Sequence, residues 1–169
     1  MITTIILALI MMAGLFLMLL SGVGFIQDKK FFTSAPQEVQ NVVQPREERF
    51  PGAHTIGWCM AVISILMMGG AVVYGAWNGI RNGFSFGQFF ARFLIMQWGL
   101  KAYDILFFDA FLLCRSNFFT HFYPETKPVL GPHLFGYNRK THLVHIIVML
   151  IGSAVLALIC AGIGMLIRL

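Results

Sequence analysis

The chain has 169 residues, of which 58% are hydrophobic and 11% charged, with a formal net charge of +5. Soluble domains carry about 25% charged residues, so this chain has too few to clothe a surface that faces water. The positive balance does not indicate a nucleic-acid partner either, because the basic residues lie in connections between long apolar runs and no soluble scaffold gathers them on one face. They fit the loops of a multi-pass cell-membrane protein, whose first partners are membrane lipids.

The first apolar run, residues 2–26, is broken only by small or weakly polar residues such as Thr3, Thr4, Gly14 and Ser21. At about 1.5 Å per residue a helix of that length crosses the roughly 30 Å hydrocarbon core. No basic residue precedes the run, and it exceeds the hydrophobic region of a secretory signal, so a retained span is expected. Residues 27–53 then bring Asp28, Lys29, Lys30, Glu38, Arg46, Glu47, Glu48 and Arg49, with Pro36, Pro45 and Pro51, and read as a polar loop.

A second span is expected over 54–79, with Trp58 near one end and Tyr74 and Trp77 near the other, where interfacial aromatics belong. Its small pair Ala71 and Gly75 lets a neighbouring helix approach closely. After a short connection, 80–88, a third span over 89–114 carries Arg92, Gln97, Lys101, Asp104 and Asp109. A charged residue at the bilayer centre costs roughly 2.5 to 3.5 kcal/mol on insertion scales. Gln97, Lys101 and Asp104 fall within one narrow arc of a 3.6-residue helix, so they can form a polar stripe turned toward the protein interior, Lys101 and Asp104 pairing locally. Asp109 lies about 100° from that arc by the same geometry.

The loop 115–142 is unusually aromatic. Phe118, Phe119, Phe122, Tyr123, Phe135 and Tyr137 call for burial, as a cap over the helices or along the headgroup layer, while Pro124, Pro128 and Pro132 restrict the backbone. The fourth span, 143–167, repeats Ser153, Ala157 and Ala161 every four residues, a helix-packing seam. The seams motivate a homo-oligomer or a larger membrane complex. No internal repeat is evident. Cys59, Cys114 and Cys160 lie in or beside apolar segments without a C-x-x-C pair and read as small apolar residues.

The whole is therefore expected to be an all-α integral membrane protein, one domain built as a four-transmembrane-helix bundle with two longer loops. Lys29, Lys30, Arg46 and Arg49 in one loop and Arg115, Lys127, Arg139 and Lys140 in the other place both in the cytoplasm and both termini outside.

Two functional readings follow. The first is a transport or channel component, or an accessory membrane subunit, with an intramembrane polar site of Gln97, Lys101, Asp104 and Asp109. The second is a membrane enzyme acting on a lipid or isoprenoid substrate at the cytoplasmic interface, with Asp109, Glu125 and His145 as acid and base candidates. A metal ion is the one cofactor suggested: His142 and His145 share a helical face at i and i+3, and His121 and His133 fall on the same side of the membrane. Arg115, Lys127, Arg139 and Lys140 are candidates for an anionic lipid headgroup. H-E-x-x-H and G-x-S-x-G are absent.

Overall fold

A computed structural model describes residues 1–29, 35–44 and 46–168, and it is helical throughout, with no strand among the described residues. Helix α1 (Ile2–Leu20) continues as a π-helical turn, Ser21–Ile26, and ends at Gln27, whose φ of 53° places it in the left-handed region while its N–H donates to Gly22 O at 2.9 Å. A short α2 (Gln37–Val42) follows inside the first loop. Helix α3 (Ala53–Arg81) starts after Gly52, and the Glu48 carboxylate accepts the His54 N–H at 2.9 Å, satisfying one of the orphan donors of a helix N-terminus. It ends at a left-handed Gly83, with the Phe84 N–H returning to Gly79 O at 2.9 Å, a glycine-terminated helix end.

Helix α4 (Phe86–Tyr103) begins only a few residues later. The Gln88 side chain accepts the Ser85 N–H at 2.9 Å, half of a capping box. Past Tyr103 it becomes a π-helix, Asp104–Leu113. The connection to α6 (Arg139–Arg168) holds α5 (Phe118–Phe122) and two 3-10 turns, Pro124–Thr126 and Pro132–Leu134. Three helical stretches are long and apolar enough to cross a membrane: Ile2–Ile26, Ala53–Arg81 and Arg139–Ile167. The α4 stretch is of similar length but carries Arg92, Lys101, Asp104 and Asp109.

The chain divides into two compact units. The first comprises 1–14, 66–102 and 140–169, and residues of α4 join both of its apolar clusters. On one side Met96 packs with Leu7, Ala8, Met11 and Ala71; on the other Phe89 and Phe93 pack with Ala157 and Cys160. Both small-residue seams therefore work within the chain. Ala71 and Gly75 face α1 and α4, and Ser153 and Ala157 are fully buried.

The second unit comprises 15–65 and 103–139. Its core joins Val23 of the π-helical turn, Val39 and Val43 at α2, Leu113, Cys114, Tyr123 and Leu134. The first loop is thus not simply polar, because α2 seats two fully buried valines against the aromatic connection. Phe118, Phe119 and Phe122 pack on this core and Tyr123 is wholly buried, as expected. Phe135 and Tyr137, expected to be buried, are instead 58% and 41% exposed.

Candidate functional site

Helix α4 carries two cations that are almost wholly buried, Arg92 (4% exposed) and Lys101 (6%). Nine positions at 100° each put them on opposite faces of the helix. Both can be buried only because α4 has neighbours on both sides.

Toward α1 and α3, the Arg92 guanidinium donates from Nη1 to Gly75 O at 2.6 Å and from Nε to Thr4 Oγ1 at 3.3 Å, and it lies 4.2 Å from the Phe84 ring centroid. No carboxylate forms an ion pair with it among the described residues. A Cβ at Gly75 would meet Arg92 Cδ at an ordinary 3.6 Å and Leu7 Cδ1 more tightly at 3.3 Å. Sequence periodicity did not single out Arg92. Its signal is a charged residue at i+3 from the fully buried Phe89 and beside the fully buried Phe93.

Toward α6, Lys101 Nζ lies 3.5 Å from Nδ1 of His145, which stands on an exposed part of its helix. The amine can donate to that ring nitrogen in the tautomer that leaves it unprotonated. The contact joins an exposed ring to a buried amine. Farther along α6 the Ser153 hydroxyl is buried without a hydrogen-bond partner among the described residues.

In the second unit, Arg46 Nη2 donates to Glu125 Oε2 at 2.6 Å, and the guanidinium stands 5.1 Å from the Tyr123 ring centroid. Burial alone would raise the Glu125 carboxyl. The hydrogen bonds from its own backbone, from Arg46 and from the Gln44 N–H, together with the Arg46 charge, outweigh that and hold it below the usual carboxylate range. Burial pushes the Tyr123 phenol well above the ordinary tyrosine range, with Arg46 opposing and Glu125 and Asp28 adding to the rise. His133 Nε2 lies 3.5 Å from Glu38 Oε2.

The expected site residues fall in both units. Gln97 and Lys101 belong to the first unit, Asp104 and Asp109 to the π-helical stretch of the second, where both are half-buried. His121 is exposed and meets Phe122 edge-on, and His133 is exposed beside Glu38. His142 and His145 remain a pair on α6, and among the described residues no three His, Cys, Asp or Glu side chains gather to hold a metal ion. Arg115, Lys127, Arg139 and Lys140 are all exposed; Arg115 lines a recess of about 190 Å³ with Cys114, Pro132 and Phe135.

Fold and site together define a class, an all-helical protein with three helices able to cross a membrane. No known protein family, curated protein or solved structure matches the chain.

Proposed function

We propose that the protein is a four-span membrane protein, a transport component that handles protons at Lys101 and His145. Exposed apolar surface supports insertion. On α6, the eight residues Leu143, Val144, Ile147, Val148, Ile151, Val155, Leu158 and Ile159 are each about half exposed or more. Burying half of such a side chain is worth about 1 kcal/mol, so this one face represents on the order of 8 kcal/mol, comparable with the whole net stability of a domain. Water is the wrong solvent for that face; acyl chains suit it.

Contacts between the two loops support the fourth crossing. Arg46 meets Glu125, Glu38 meets His133, and Val39 and Val43 share a core with Tyr123 and Leu134, contacts that support one side of the membrane for both loops. If α3 crosses, the stretch 86–113 must cross back, although its charges make it the least apolar of the four. Its first part packs on α1 and α3 through Met96 and on α6 through Phe89 and Phe93. Both termini then lie on the side opposite the basic loops, which is the outside by the distribution of Lys and Arg.

The observation that carries the functional reading is the buried Lys101 amine, in the last turn of α4, in contact with an accessible imidazole. Intramembrane ionisable groups are retained chiefly where they serve a pathway or a partner contact, and an amine next to an imidazole can pass a proton. In vesicles holding a pH-sensitive dye and driven by an imposed potential, the wild-type protein should admit protons, and Lys101→Leu and His145→Phe should abolish that flux while still assembling. Equal flux in wild type and Lys101→Leu would sink the proposal.

A further inference from the structure

In the second unit, at the end of the first apolar run, an open cleft of about 380 Å³ is lined by Gln27, Arg46, Glu47, Arg49, His121 and Phe122. We propose that this cleft binds a zwitterionic phospholipid headgroup, its phosphate held by Arg49, Arg46 and the Gln27 amide and its ammonium by Glu47, an inference that rests on the membrane reading above.

The position comes first. Gln27 directly follows the apolar stretch Ile2–Ile26, and Ala53 opens the next, so the segment carrying Arg46, Glu47 and Arg49 connects two helices where hydrocarbon would give way to headgroups. The chemistry comes second. Arg46 is held in place by Glu125 and Tyr123, and of its five donors one hydrogen bond to Glu125 is engaged. Arg49 stands 5.5 Å from the Phe122 ring centroid and has no carboxylate partner among the described residues; Glu47 likewise has no cationic one. An opposite pair so close on one segment, yet not joined to each other, matches a ligand that carries both signs better than one that carries a single charge.

Gln27 adds an independent sign. It is 5% exposed yet lines the cleft, and its backbone adopts a left-handed conformation that glycine would adopt more easily. An amide so placed can both donate to and accept from a ligand seated in the cleft. The headgroup measures a few ångströms between phosphate and ammonium, and the cleft volume lies within the range of about 300–1,000 Å³ typical of small-molecule sites.

The test uses the full chain in nanodiscs of mixed phosphatidylethanolamine and phosphatidylglycerol, with the lipids that remain bound after detergent transfer counted by native mass spectrometry. Wild type should retain phosphatidylethanolamine in preference. Arg49→Gln should lower retention of both lipids and Glu47→Gln that of phosphatidylethanolamine alone, each by about tenfold or more, the effect of roughly one charged hydrogen bond. Millimolar O-phosphoethanolamine should compete if the headgroup suffices; competition by inorganic phosphate alone would reassign the cleft to free phosphate and overturn the lipid reading. Stable insertion with retention indifferent to both substitutions would overturn the cleft proposal and leave the membrane reading intact. Failure of the wild type to enter nanodiscs of any composition would overturn both.

Discussion

Replacing Gly79 by alanine tests the seating of α4 against α3, on which the enclosure of its charges depends. A Cβ at Gly79 would stand 2.3 Å from Cε1 of Phe89, 2.9 Å from Cζ and 3.1 Å from Cδ1. Carbon atoms rest at about 3.5–4.0 Å, so the ring would have to retreat by more than about 1 Å. It has no room to do so: Phe89 is 0% exposed, stacks on Phe93 at 6.2 Å, leans on Phe84 at 5.6 Å, and shares its cluster with Ala157 and Cys160. Overpacking of this kind costs about 1–3 kcal/mol, while alanine regains up to about 1 kcal/mol of helix propensity. Gly79→Ala should therefore destabilise the protein by about 1–2 kcal/mol in denaturant titrations of the micelle-bound chain. Phe89→Leu removes the offending ring atoms, and in that background the same substitution should be neutral or stabilising, a coupling of at least about 1 kcal/mol. Gly69, with nothing within 4 Å of a built Cβ, supplies the control. An equal cost for Gly79→Ala in both backgrounds would refute the placement of Phe89 against α3.

Acid should loosen the second unit through Glu125. Its carboxyl titrates lower in the folded chain than in the unfolded one, so the stabilisation from Arg46 is present above about pH 4.5 and lost as pH falls through the lower folded value; Glu125→Gln should flatten the fall of the thermal midpoint between about pH 5 and about pH 3. Tyr123 behaves in the opposite sense. Its folded value is raised, so its contribution holds below about pH 10 and fades only as pH climbs toward the folded value, and Tyr123→Phe should leave the ultraviolet tyrosine titration near pH 10 unchanged in amplitude. Single cysteines placed at Asn41 and Lys127, with the three native cysteines replaced, should label from the same membrane face; labelling from opposite faces would end the four-span reading.

Much of this fold is legible in the residues. The runs 2–26, 54–79 and 143–167 coincide with helical stretches because their apolar length has no other use. The start of α4 at Phe86 rather than Phe89 was written in Ser85 and Gln88, an N-cap followed by its N3 partner. Helix α2 was hidden because Gln37–Val42 is short and charge-flanked, and only the spacing of Val39 and Val43 hinted at a buried face. The polar site was harder to read. Counting at 3.6 residues per turn fails beyond Tyr103, where the i+5 bonding of Asp104–Leu113 winds more residues into each turn and shifts every later side chain. Arg92 was obscured for another reason: its partners are the carbonyl of Gly75 and the hydroxyl of Thr4, and neither leaves a charge pattern in the sequence.

The burial of the two α4 cations also bears on how such a chain would enter a bilayer. Arg92 is covered by segments made earlier, Thr4 and Gly75, but the imidazole that meets Lys101 belongs to α6, which is made after α4. A nascent chain that has not reached residue 145 would hold the Lys101 amine without that contact, so a four-span molecule would settle α4 fully only once α6 arrives. Truncation before α6 should then lower the yield of inserted chain.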